Sequence, residues 1–273
     1  MRISLKPRYR FVVPILGENI CPDVIADRSL REIRELEAWE GNRKRALSEL
    51  FVIKRQLRIS KEPSITIYGD VIKVREIGAR MSFGTIRIEG DAGLYLGREM
   101  SGGRIIVKGN AGSWVGSRMK GGTISVRGNA GDYVGSPYRG SRLGMSGGVI
   151  SVQGNAGIEV GGFMRGGTIR IDGDVGQFVG VRMRGGTVIV QGRCEGRMGA
   201  SMRDGTIIIN GEVPSVLPSF SIEGVRDEVK INGETVVGPF LLFTGDVAEG
   251  GHGRLYVSAN RNPHLRFYEG FLK

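Results

Sequence analysis

Histidine and cysteine are nearly absent from this chain. His252, His264, Cys21 and Cys194 are all it holds in 273 residues. Two cysteines make neither a disulfide framework nor a CxxC pair, so a reduced, cytoplasmic protein is the simplest expectation. Both histidines fall in the C-terminal segment, and "GGHGR" around His252 reads as a turn. A Ser-His-Asp set, a carboxylate pair or a metal-ligand cluster lacks its parts. The expectation is therefore no catalytic residue, no bound cofactor and no metal in this chain. Long apolar runs are missing too: none nears the ~20 residues of a membrane-spanning helix. The N-terminus "MRISLKPRYRFVVPILGENI" has no signal-peptide core, and its short apolar run is broken by Pro14.

What is abundant is glycine, at 46 of 273 residues. It does not fall at every third place, and proline numbers only 9, so collagen is excluded. A hydrophobic content of 40% argues against disorder. The formal net charge is +11. Residues 1–64 hold +5 and residues 81–212 hold +6, whereas residues 213–273 hold −1. An excess of that size favours an anionic partner without naming it.

The glycine belongs to an internal repeat. Aligned on methionine, the chain reads "MSFGTIRIEGDAGLYLGRE" from Met81, then further copies from Met100, Met119, Met145, Met164, Met183 and Met202. The step is 19 residues, except for one of 26 where "SPYRGSRLG" (136–144) replaces a short corner. A weaker copy, "ITIYGDVIKVREIGAR", begins at Ile65.

Within each copy "GTIxVxG" alternates with period two, as a strand with one buried face does. Ile124 and Val126 face one way, and Thr123, Ser125 and Arg127 the other. The inward pair recurs as Ile86/Ile88, Ile105/Val107, Ile150/Val152, Ile169/Ile171, Val188/Val190 and Ile207/Ile209. Each Met is a flexible filler suited to an irregular interior. Nineteen residues are too few for a strand plus a crossover helix. The expected fold class is therefore all-β: a right-handed, single-stranded parallel β-helix (β-solenoid) of about seven 19-residue coils. Glycines would sit at its corners, and stacked Asn side chains would hydrogen-bond along it. Residues 1–64 are expected to form a small mixed adapter, 65–212 the repeats, and 213–273 a C-terminal β cap. Turns are expected in the cap at Asn232-Gly233 and Gly245-Asp246.

Three chemical readings of the glycine compete poorly. A phosphate loop requires a single GxxxxGK[ST] or GxGxxG opening a helix, and neither is present in that setting. The calcium β-roll nonapeptide is mimicked only by "GGTIRIDGDVG", and the period is wrong. Cys194 takes the place of an Ala or Val and reads as a small buried hydrophobe. The basic residues say more. The place after each Met holds Lys120, Arg165, Arg184 and Arg203, and the place before it Arg80, Arg118 and Arg182. Equal places would stack, so Arg118, Lys120, Arg165, Arg182, Arg184 and Arg203 predict a positive stripe along one corner, with Arg139 and Arg142 of the insertion nearby. The stripe is a solvated corner, a partner interface or a track for an anionic chain. Nucleic acid is disfavoured because aromatic residues do not interleave with it.

The motif G-x-x-M-x-x-G-x-I-x-V-x-G followed by G-x-x-G-x-x-x-G resembles a known family. It includes the β-helix domain ending the large subunit of glutamate synthase and, free-standing, the C subunit of formylmethanofuran dehydrogenase. The leader "PD…SLREI…WEGNR…LSELF" and the tail "GPFLLFTGDVAEGGHGRLYVS" extend the resemblance to most of the chain. The insertion after Gly135 and the broken glycine pattern at Gly192 depart from the motif. The resemblance implies a non-catalytic scaffold in a cytoplasmic complex that reduces CO2 to formate and joins it to methanofuran. It places a molybdenum or tungsten pterin, iron–sulfur clusters and a binuclear metal site in other subunits: pterin-binding, iron–sulfur and amidohydrolase-like. The anionic tail of methanofuran is then a candidate for the stripe. The C subunit of a formyltransferase/hydrolase complex stays open, as do a β-helix module for an anionic polymer and a stand-alone β-helix enzyme.

Overall fold

A computed structural model describes residues 1–56, 62–231 and 233–272. Asn232, half of one expected turn, lies outside the described residues. The chain opens with β1 (Arg2–Pro7) and β2 (Ile15–Leu16), then α1 (Pro22–Ile25) and α2 (Leu30–Arg34). β3 (Glu37–Glu40), β4 (Arg43–Ala46), α3 (Leu47–Leu50), β5 (Phe51–Arg55), β6 (Ser64–Ile67) and β7 (Val74–Arg75) follow. The repeats supply β8 (Thr85–Ile88), β9 (Arg104–Val107), β10 (Thr123–Val126) and β11 (Val149–Val152). They continue with β12 (Arg165–Ile171), β13 (Arg184–Val190) and β14 (Asp204–Ile209). Last come β15 (Ser221–Ile231), β16 (Glu234–Gly245), β17 (Gly253–Ser258) and two 3-10 segments.

The molecule is mostly β. Its large sheet has the order β15-β16-β17-β14-β13-β12-β11-β10-β9-β8-β6-β1-β5 among the described residues. From β1 to β17 every neighbour pair is parallel, while β5, β16 and β15 add antiparallel edges. A smaller sheet joins β4, β3, β2 and β7. No helix among the described residues is long and apolar enough to cross a membrane.

The register follows the repeat. Ile86, Ile105, Ile124, Ile150, Ile169, Val188 and Ile207 lie side by side, and the 26-residue step leaves the pairing of β10 with β11 unshifted. Ile65 and Ile3 continue this row at one end and Leu255 at the other. All are essentially inaccessible to solvent, as are the seven methionines. Parallel sheets are stable when an apolar row of this kind is sealed from water. A second line of bridges runs Val71, Ala92, Ala111, Ala130 and, beyond the insertion, Ala156, Val175, Cys194.

Two glycines show why the residue is so frequent. Gly122 has φ +84°, and a Cβ there would lie 2.7 Å from Met100 Cε and 2.8 Å from the Gly102 backbone. At Gly116, with φ +62°, a Cβ would run into Ile150 Cδ1. Backbone conformation and closeness of the next repeat each demand glycine there.

The Asn row differs in detail from the expectation. Asn110 Oδ1 accepts from the Asn129 N–H at 2.9 Å, Asn129 Oδ1 from Asn155 at 2.8 Å, and Asn155 Oδ1 from Asp174 at 2.8 Å. Asp91 and Asp174 make the same bond at either end of the row. Side chains therefore bond chiefly the next backbone, which satisfies corner amides that the strand ladder cannot reach, and Asn110 Nδ2 also donates to Asp91 Oδ1 at 3.2 Å as a stacked side-chain pair.

The segment 213–273 both continues and covers the stack. β17 lies parallel to β14, pairing Ile207 with Leu255, after an excursion through the β15–β16 hairpin. The excursion lays Val229, Phe240 and Leu242 over Ile189, Ile208 and Tyr256, forming a second apolar cluster on the other face of the sheet.

Candidate functional site

The residue before six of the seven repeat methionines bends the corner. Arg80, Glu99, Arg118, Phe163, Arg182 and Ser201 occupy that place with φ between +54° and +59°. Non-glycine residues avoid this region, so the corner holds them there through packing. Their side chains emerge in line, but not with one sign of charge.

The stripe splits into two parts. Near β8 and β9 it is neutralised: Arg118 pairs with Glu99 at 2.9 Å, Arg98 with Glu76 at 2.7 Å, and Arg80 lies within 3.7 Å of Glu18 and Glu99. Arg118 thus has a carboxylate of its own. Lys120 and Arg165 are exposed and have no ion pair among the described residues. Farther along, Arg182, Arg184 and Arg203 come together with Arg142 of the insertion around a hollow of about 250 Å³. Phe163, Ser201 and Glu249 complete its lining. Glu249 reaches Arg203 at 3.5 Å, which leaves four guanidinium groups facing one carboxylate. A concave wall of one sign focuses its field and attracts anions. Arginine also supplies forked donors suited to carboxylate or phosphate.

The segment after β16 builds this hollow. Asp246 is buried, and its carboxylate accepts from the Ser201 N–H at 2.9 Å and from Ala248 at 3.2 Å. His252 N–H bonds to the Arg203 carbonyl at 2.9 Å. The last methionine corner is therefore held from two sides.

Aromatic residues do enter the stripe, contrary to expectation. Phe163 occupies a stripe place itself, with the Arg182 guanidinium 5.4 Å above its ring. One corner away, Tyr95, Trp114 and Tyr133 stack at 5.0 and 4.7 Å, and Tyr138 of the insertion closes on the first two at 6.0 Å. Glu159 continues the aromatic line. Its carboxyl is pushed above the ordinary range by burial, opposed by Arg182 and Arg139. The recurring "YLG", "WVG" and "YVG" were the signal for this ladder in the sequence.

Both cysteines are buried and unbridged. Burial pushes the thiol of Cys21 up to about 12 and that of Cys194 up to about 11. Both stay protonated at neutral pH, which leaves them weak nucleophiles. No group of three or more His, Cys, Asp or Glu with metal-holding geometry occurs among the described residues.

Similarity to known proteins runs the length of this architecture. The chain is 57% identical over 265 residues to the C subunit of tungsten-containing formylmethanofuran dehydrogenase 2 of Methanothermobacter thermautotrophicus, covering 96% of this chain and 98% of that one. It belongs to the family of formylmethanofuran dehydrogenase C subunits. The corresponding tungsten-containing relative from Methanothermobacter marburgensis is 54% identical over the same extent. The C subunit of the molybdenum-containing formylmethanofuran dehydrogenase 1 of that organism matches less: 44% over 97 residues, covering 36% of this chain and 24% of that relative. No family model matches the chain. Among solved structures, the formyltransferase/hydrolase complex of Methylorubrum extorquens with methylofuran contains a chain of like fold. The TM-score is 0.82 at 30% identity, covering 94% of this chain and 99% of that one.

Proposed function

We propose that this chain is a non-catalytic scaffold: a right-handed β-solenoid that holds the other subunits of a formylmethanofuran dehydrogenase complex. That complex reduces CO2 to formate and condenses it with methanofuran, or runs the reverse. The observation that carries the reading is end-to-end similarity to a formylmethanofuran dehydrogenase C subunit, 57% identity across 96% of the chain. The unshifted inward row supports it. Ten parallel strands at ~4.8 Å make a stiff column ~43 Å long, with right-handed crossovers expected from strand twist. On this reading the pterin, iron–sulfur and binuclear metal centres belong to pterin-binding, iron–sulfur and amidohydrolase-like partners in the cytoplasm. The full-length relatives are tungsten-named, which favours a tungsten pterin among those partners. The four-arginine hollow would receive the anionic tail of the carrier.

A second reading, the C subunit of a formyltransferase/hydrolase complex, draws on the fold shared with the Methylorubrum extorquens chain. Native mass spectrometry of the complex purified from its source separates the two. Co-purifying pterin and iron–sulfur subunits support the dehydrogenase. A formyltransferase subunit without redox centres supports the second reading, and a chain isolated alone refutes both. Binding of a glutamate oligomer tests the hollow. Arg182→Glu with Arg184→Glu is expected to weaken it about tenfold or more, with the remaining affinity falling as salt rises.

A further inference from the structure

The strand "TIRI" occurs twice, as β8 (Thr85–Ile88) and within β12 (Thr168–Ile171), and its two arginines meet different surroundings. Both lie in the outward row of the large sheet, which runs Thr66, Arg87, Ile106, Ser125, Ser151, Arg170, Ile189, Ile208, Tyr256. At the β12 end the chain covers this row itself. Arg170 reaches Asp172 at 3.2 Å and Glu234 at 3.3 Å, Glu234 being the first residue of β16. Beside it, Ile189 and Ile208 are sealed by Val229, Phe240 and Leu242.

At the β8 end no described residue covers the same row. Glu89, which stands to Arg87 as Asp172 stands to Arg170, is taken by Lys108. Arg87 and Arg104 have no ion pair among the described residues. They flank Ile106, with Arg2, Phe83 and Thr123, around a hollow of about 670 Å³, and Phe83 is 43% exposed. On the covered half the hairpin seals Ile189 and Ile208 and adds Glu234 to Arg170; here, among the described residues, Ile106 has no such cover and its two guanidinium neighbours no such carboxylate.

We propose that this open half of the sheet face is a docking surface for an acidic, extended segment of another subunit. The segment repeats from outside what the β15–β16 hairpin does from within. It sets apolar side chains on Ile106 and Phe83 and presents carboxylates to Arg87 and Arg104. Charge complementarity names the partner's chemistry: among the described residues the hollow sets Arg2, Arg87 and Arg104 against one carboxylate, Glu62, which is already engaged, so the partner supplies the acid. Pairs sealed against an apolar neighbour are shielded from water and salt, and so contribute more than rim charges. This inference rests on the scaffold reading.

The test uses the full chain, tagged and co-expressed with the other subunits of its complex. Arg87→Glu with Arg104→Glu is expected to lower the amount of partner retained about tenfold or more, as loss of a buried interfacial charge pair does. Arg87→Gln and Ile106→Ala should give smaller losses. Lys230→Glu, on the exposed outer part of the hairpin, should give none. Matching thermal melts of the tagged chains establish that the variants are folded. Undiminished retention by the double reversal, or equal loss in Lys230→Glu, overturns the inference and leaves the scaffold reading standing. Failure of the unaltered chain to retain any partner overturns both.

Discussion

At the scale of single residues, the corners decide what the sequence tolerates. Gly122→Ala places a methyl against Met100 and the Gly102 backbone at φ +84°. It is expected to cost about 1–3 kcal/mol, from strain at a disfavoured φ and from overpacking, read as a lower urea midpoint. Asn129→Ala removes an acceptor from the Asn155 amide. A loss of about 1 kcal/mol is expected, the usual net worth of such a bond. Glu159 gives a pH-dependent effect. Burial raises its folded pKa, so the folded state binds its proton more tightly than the unfolded chain. Its unfavourable contribution appears as pH rises from the ordinary value of 4.5 towards the folded value. Glu159→Gln should therefore melt higher than the parent at pH 7, with the gap closing near pH 4; a gap that widens in acid would contradict the assignment. The inward Ile/Val row and the methionines were legible from period-two alternation and from their 19-residue step. The left-handed conformation of Arg118 or Trp114 was not, because neither residue type favours it. The partnering of Arg118 by Glu99 was also hidden: the position before Met carries either sign from copy to copy, and only stacking sets the two side by side.

At the scale of elements, repeats were easier to read than their additions. β8 to β14 recur at a 19-residue step with one step of 26, and the repeat locates each of them. β17 does not, since it rejoins the stack after a hairpin that shares no motif with the repeats. Its pairing with β14 links residues about fifty positions apart, beyond the reach of any local pattern. The incorporation of β1 and β5 into the same sheet is concealed for the same reason. The insertion (136–144) is an addition of another kind, lying wholly at a corner. Deleting residues 137–143 restores the 19-residue step. The register of β10 with β11 already ignores the insertion, so the stack should persist with an unchanged far-ultraviolet spectrum. The deletion also takes away Tyr138 and Arg142, so binding of a glutamate oligomer should weaken.

At the scale of the whole molecule, each strand of the parallel run pairs with its neighbours, and the last strands need covering. The β15–β16 hairpin does this on the outward face and β17 at the last rung. Truncation after residue 212 uncovers Ile189, Ile208 and the edge of β14. Concentration-dependent self-association by light scattering is the expected result, since bare edges pair with one another. Uniform stacking also turns sequence position into height. Each repeat adds one strand to the sheet, so the Arg87 surface and the Arg184 hollow, five strands apart, are separated across the sheet by about 24 Å. The chain is thus a ruler graduated in single repeats. Excising one 19-residue unit between the two features would bring whatever they grip closer by one strand spacing, with the gripping residues themselves untouched.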